Sequence, residues 1–64
     1  MAPGEIKALR IRMGLSGTEF ALRLGVTIDA VRKYEQGARR PTERVLLLLR
    51  ALNASTPNRV RVSA

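Results

Sequence analysis

The chain has 64 residues, enough for one small domain, and a fold of that size buries only about 60% of the surface that its unfolded chain would expose. It contains no cysteine and no histidine. This excludes disulfides and the usual zinc and iron ligand sets, so we expect neither a metal site nor a cofactor. Twelve Lys and Arg residues against five Asp and Glu give a net charge of +7 and a pI near 11.6, which favours an anionic partner.

Apolar spacing, capping residues and glycines predict four helices in the first 53 residues. We place them at residues 5–13, 17–24, 28–36 and 43–52, followed by Gly14, Gly25, Gly37 and Asn53 as their left-handed stops. Ser16, Thr27 and Thr42 precede the last three helices as N-caps, and Ser16 also forms a capping box with Glu19. The residues expected to form the core are Leu9, Phe20, Leu24, Val31, Tyr34, Leu48 and Leu52.

The last predicted helix carries apolar residues on two sides. One stripe runs through residues 45, 48, 49 and 52, whereas at about 100° per residue Leu47 lies on the opposite side, together with Ala51. After Asn53 the chain turns polar, and residues 59–62 alternate between Arg and Val with the period of a strand. We therefore expect an all-α bundle of about four short helices over residues 1–53. The tail, residues 54–64, is either a short strand or a frayed segment.

The segment from Leu15 to Gly37 reads Leu-Ser-Gly-Thr-Glu-Phe-Ala-Leu-Arg-Leu-Gly-Val-Thr-Ile-Asp-Ala-Val-Arg-Lys-Tyr-Glu-Gln-Gly. It resembles the helix-turn-helix of the Cro/phage-repressor (Xre-type) family, which typically reads Leu-Ser-Gln-x-Glu-Leu-Ala-x-x-Leu-Gly-Val-Ser-x-x-x-Ile-Ser-x-Trp-Glu-x-Gly. The likeness extends over about residues 6–52. It departs at Gly17, where the family usually has Gln, and at Tyr34, where Trp or Leu is common. The resemblance implies a lambda-repressor-like fold that binds double-stranded DNA.

The third predicted helix has one polar arc and one apolar arc. Steps of about 100° place residues 28, 29, 32, 33 and 36 together, opposite residues 30, 31 and 34, and a major groove about 12 Å wide admits such a helix. The expected base-reading residues are Ile28, Asp29, Arg32 and Lys33. Ile28 is expected either to contact a thymine methyl group or to be a partly buried residue at the start of the helix. Asp29 is expected either to accept a hydrogen bond from cytosine N4 or only to interact with the helix dipole. Arg32 and Lys33 are expected to donate to guanine or to phosphate.

The resemblance implies roles for further residues. Those expected to hold phosphates are Ser16, Thr27, Gln36, Arg39 and Arg40; for the two loop arginines, the alternative is simple solvation. Such contacts position the protein on DNA without reading sequence. In this family an arginine late in the first helix pairs with a glutamate near the end of the third, which implies a structural ion pair between Arg10 and Glu35.

These features favour a sequence-specific transcriptional regulator, in the first place a repressor that binds a palindromic operator as a homodimer. Dimerisation is expected through Leu47 and Ala51, or through strand pairing of Val60 and Val62; the alternative is a monomer that dimerises only on DNA. A second hypothesis is an antitoxin or other module that binds a protein partner, such as a toxin or operon neighbour, and regulates its own operon. An enzyme is not expected, because His and Cys are absent and the carboxylates have capping, dipole or ion-pair explanations.

Neither a membrane span nor a secretory signal is expected. The longest apolar run, residues 45–49, is far shorter than the roughly 20 residues that cross a bilayer. The first five residues lack a basic region followed by an apolar one. With no cysteine in the chain, a cytoplasmic location and no membrane partner are the expectation.

Overall fold

The computed structural model describes residues 1–56, which form four helices: α1 (Pro3–Arg12), α2 (Gly17–Leu24), α3 (Ile28–Gln36) and α4 (Glu43–Ser55). No strand occurs within this range. The predicted all-α helix-turn-helix bundle is confirmed, and α2 and α3 begin and end at the predicted residues. The possible strand at residues 59–62, including Val60 and Val62, lies outside the described residues.

The boundaries of α2 and α3 follow from capping groups next to them in sequence. The amide of Glu19 donates to Ser16 Oγ at 3.1 Å, and the amide of Ser16 donates to Glu19 Oε1 at 2.9 Å. Thr27 Oγ1 accepts from the third amide of α3 at 3.1 Å. Gly25 and Gly37 end the two helices with φ of 71° and 77°, a left-handed conformation that favours glycine.

Helix α1 begins two residues before its predicted start. Pro3 occupies the first turn, where its missing amide hydrogen costs nothing and its fixed φ suits a helix. The Ala2 amide donates to Glu5 Oε1 at 2.7 Å, and this hydrogen bond caps the N-terminus of α1. The helix ends at Arg12, one residue earlier than predicted, and Gly14 follows with φ of 71°.

The core lies where the four helices meet. Five predicted core residues are buried, which confirms that part of the prediction: Leu9, Phe20, Leu24, Val31 and Tyr34. The other buried apolar residues are Ile6, Ala21, Ala30, Val45 and Leu49, and Leu52 packs half-buried against them. No polar or charged residue is buried among residues 1–56.

Leu48 was predicted to be buried and is 39% exposed, so that prediction is wrong. Helix α4 meets the core along a line through Val45, Leu49 and Leu52. At about 100° per residue, Leu48 lies roughly 60° to the side of this line. There it lines an open groove together with Leu22 of α2.

Helix α4 also continues past its predicted end, to Ser55. No residue other than glycine has a positive φ among the described residues, so Asn53 is not the left-handed stop that we expected. Its side chain has a different partner, because Arg12 Nη2 of α1 donates to Asn53 Oδ1 at 2.6 Å. This contact ties the ends of α1 and α4 together while the backbone of Asn53 stays helical.

Candidate nucleic-acid interface

Helix α3 presents one continuous exposed face. Its buried side consists of Ala30, Val31 and Tyr34. The side chains predicted to read bases or hold phosphate from this helix are all on the exposed side: Ile28, Asp29, Arg32, Lys33 and Gln36. A helix with one packed face and one polar face accessible to solvent has the shape that a major groove admits.

Two of these exposed residues pair with each other. Lys33 Nζ lies 3.1 Å from Asp29 Oδ2, and the two side chains are 49% and 70% exposed. The pair is not among the roles expected from the sequence, which are cytosine N4 or the helix dipole for Asp29 and guanine or phosphate for Lys33. The signal for it was the spacing of opposite charges by four residues on one helix.

Ile28 packs against the start of α2. A Cβ atom added at Gly17 would lie 3.6 Å from Ile28 Cδ1 and 3.7 Å from Cγ1, so the side chain covers the backbone of Gly17. Ile28 nevertheless keeps an exposed surface. It is therefore a partly buried helix-start residue that still presents methyl groups on the exposed face of α3.

The candidate phosphate-binding hydroxyls belong to the helix caps. Ser16 Oγ and Thr27 Oγ1 each accept one backbone amide, and a hydroxyl that accepts in this way keeps a hydrogen to donate. Both residues are exposed at the first turns of α2 and α3. Helix N-termini of this kind favour anions through their free amides and dipole.

The loop after α3 carries Arg39 and Arg40, both exposed. The amides of Ala38 and Arg39 donate to Lys33 O at 2.9 and 3.3 Å, and these bonds hold the loop against the end of α3. The left-handed Gly37 makes this return of the chain possible. The structure therefore brings both arginines to the same end of α3 as Gln36.

A two-pronged ion pair connects α3 to α1. Arg10 Nε donates to Glu35 Oε2 at 2.7 Å, and Arg10 Nη2 donates to Glu35 Oε1 at 3.2 Å. Arg10 Nη1 also donates to Leu15 O at 3.2 Å. The two charged side chains are only 20% and 12% exposed, and hydrogen bonding to Glu35 raises the pKa of Arg10. The pair joins α1, the turn before α2, and α3.

The outer surface of α4 carries the residues considered for dimerisation. Leu47 is 62% exposed and Ala51 is also exposed, whereas Val60 and Val62 belong to the tail that the structure does not describe. Leu48 adds a second exposed leucine to α4, and Leu22 on α2 is 77% exposed. Neither of these last two leucines is predicted to form a contact surface, since Leu48 is predicted in the core and no role is predicted for Leu22.

An open groove of about 630 Å³ lies between α2, α3 and α4. Leu22, Val26 and Leu48 form apolar parts of its wall, and Arg23, Arg39 and Arg44 surround them. Within residues 1–56, no helix is long and apolar enough to span a bilayer. No group of three acidic side chains suited to a metal ion occurs in the same range.

Comparison with known proteins is consistent with this geometry. A family model described as helix-turn-helix matches residues 6–57, which include α1 from Ile6 onward and all of α2, α3 and α4. No match was found among the curated proteins or among the solved structures. Since the matched segment covers most of the chain, the protein belongs to the Cro/C1-type (Xre-like) helix-turn-helix family of DNA-binding transcription regulators.

Proposed function

We propose that the protein is a transcriptional repressor that binds a palindromic operator as a homodimer, with α3 of each subunit in the major groove. The observation that carries this proposal is the exposed polar face of α3 between two anion-attracting elements. On one side lie the capped N-termini of α2 and α3, and on the other lies the loop with Arg39 and Arg40. The net charge of +7 provides the long-range attraction to DNA.

The experiment that tests this proposal is selection of bound sites from a random duplex pool, with the full chain at moderate salt. We expect a palindromic consensus whose half-site centres lie about 34 Å apart, one turn of DNA. Placing the recovered site across a promoter should then lower transcription when the protein is present. A pool without consensus would contradict sequence-specific binding, and increased transcription would contradict repression.

Arg39→Ala is expected to weaken binding to operator and random DNA by the same factor. The loop arginine is proposed to neutralise phosphate and not to read bases. Its loss should reduce the slope of log affinity against log salt by about one per subunit. The measurement is a fluorescence-anisotropy titration on both duplexes at several salt concentrations.

Lys7→Ala is the matched control, since it removes the same charge from an exposed position on α1. It should leave the salt slope close to that of the unchanged chain. A loss of specificity in Arg39→Ala, with nonspecific binding unchanged, would contradict the phosphate role.

The proposed dimer interface is the outer face of α4, with tail pairing through Val60 and Val62 as the alternative contact. Leu47, Leu48 and Ala51 together leave apolar surface exposed on one helix. A single small module buries too little DNA surface for a tight specific complex, which favours two copies on one site.

Leu47→Glu is expected to convert the dimer to a monomer in sedimentation at micromolar concentration. Ile11→Glu is the matched control, because Ile11 on α1 is 59% exposed and Leu47 is 62% exposed. Val60→Glu in the full chain tests the tail in the same way. The proposed interface would be contradicted if the unchanged chain is a monomer and if Leu47→Glu and Val60→Glu both bind the operator with unchanged cooperativity.

A second candidate function is a module that also binds a protein partner, and the groove lined by Leu22 and Leu48 favours it. Its leucines and arginines suit an apolar segment that carries acidic residues. The test is co-expression with the product of an adjacent gene, comparing the unchanged chain with Leu22→Asp. Loss of co-purification in the variant, with DNA binding retained, would support this function.

A further inference from the structure

We propose that Asp29 and Lys33 act as one unit that reads guanine and cytosine no more than one base step apart. Lys33 Nζ would donate to guanine O6 and N7, and an Asp29 carboxylate oxygen would accept from cytosine N4. This inference rests on the proposed function, since it requires α3 in the major groove. It adds to that function a specific requirement on the operator.

The geometry of the pair supports a shared target. The ammonium nitrogen and the carboxylate oxygen are 3.1 Å apart on the exposed side of α3. Successive bases along one strand are about 3.4 Å apart. A donor and an acceptor held at this separation therefore match groups on one base pair or on two neighbouring pairs.

The order of groups in the major groove favours a G·C pair over an A·T pair. A G·C pair presents two adjacent acceptors, N7 and O6, followed by the N4 donor. An A·T pair places its single donor, adenine N6, between two acceptors, so a carboxylate there meets a lone pair on each side. A cation beside an anion satisfies all three groups of the G·C pair, whereas on the A·T pair it leaves the carboxylate facing the lone pairs of thymine O4.

Electrostatics explains why the two residues would work only together. Asp29 by itself would bring a carboxylate toward phosphates that repel it, and Lys33 by itself would attract DNA of any sequence. Paired, they carry no net charge, and the contact restricts a lysine side chain that otherwise has many rotamers. The pair therefore reduces indiscriminate attraction and leaves hydrogen bonding to the bases as its main contribution.

The two residues are also well suited to substitution, because neither is part of the core. Both side chains are about half exposed or more, and an exposed pair four residues apart on a helix contributes little to folding. Changes in DNA binding therefore report on recognition. Thermal unfolding of each variant, expected to match the unchanged chain within a few degrees, checks this directly.

The test compares four full-length proteins: the unchanged chain, Asp29→Asn, Lys33→Met and the double variant. Site selection with the unchanged chain should recover a guanine and a cytosine within one base step in each half-site. Asp29→Asn should shift the cytosine position toward adenine, because an amide pairs with adenine N6 and N7. Lys33→Met should bind the selected site about tenfold more weakly than the double variant, because it leaves an unpaired carboxylate facing DNA.

Two results would overturn the inference while leaving the proposed function intact. One is a consensus in which the bases affected by Asp29→Asn and Lys33→Met lie more than one step apart. The other is additivity, in which the double variant binds more weakly than the unchanged chain by the product of the two factors measured for the single variants. If the unchanged chain recovers no consensus, the proposed function fails and this inference fails with it.

Discussion

Phe20→Ala is expected to lower the free energy of unfolding by about 3 to 5 kcal/mol, the usual cost of removing a buried aromatic ring. Phe20 is fully buried on α2, which packs against both α3 and α4. A chain of this length has a total stability of roughly 3 to 10 kcal/mol. The variant should therefore lose a large part of its stability and unfold at a much lower temperature and urea concentration, as circular dichroism would show.

Leu22→Ala provides the control for this prediction. It removes a comparable apolar side chain from the same short helix, but from a position that is mostly exposed to solvent. We expect its unfolding midpoint to stay within a few degrees of the unchanged chain, as for most exposed substitutions. Native-like thermal unfolding of Phe20→Ala would contradict the assignment of Phe20 to the centre of the core.

Arg10→Met is expected to cost about 2 kcal/mol of stability and to weaken operator binding further than that loss alone explains. The substitution leaves Glu35 mostly buried without its partner, and an uncompensated charge of this kind is costly. It also removes the hydrogen bonds that connect α1 to α3 and to the turn before α2, where Arg10 donates to Leu15 O. Urea unfolding and operator titration at a temperature where the variant is folded measure the two effects.

The double variant Arg10→Met/Glu35→Leu separates charge burial from positioning. Replacing both partners with apolar groups removes the unpaired charge, so stability should return close to that of the unchanged chain. Operator affinity should recover less, because packing alone does not hold α3 with the same two-pronged geometry. Equal recovery of stability and affinity would contradict a positioning role for the pair.

Much of the helical framework could be predicted because the responsible interactions are local. Ser16 with Glu19, and Thr27 with the first turn of α3, form hydrogen bonds between residues three apart. Glycines at positions 25 and 37 end the same helices with a left-handed residue. Such groups act whatever the rest of the chain does, and for this reason α2 and α3 begin and end at the predicted residues.

The exposed face of α3 also followed from sequence, because burial of Val31 and Tyr34 dictates which side remains for DNA. The interaction between Asp29 and Lys33 was equally local and was missed. The roles expected from the sequence, a base or the helix dipole for Asp29 and a base or phosphate for Lys33, treat the two residues separately. Opposite charges four residues apart on one helix are sufficient to predict such a pair.

By itself the sequence determined the four helices, half of the buried core residues and the face of α3 that remains exposed, because caps, glycines and helical periodicity act over a few residues. The tertiary structure decided how much of the predicted apolar stripe on α4 is buried, and it left Leu48 at the edge of a groove beside Leu22. It also decided that Asn53 bonds Arg12 and stays helical, and that Ile28 covers Gly17. These outcomes depend on how helices cross, and a crossing is set by side chains that are far apart in sequence.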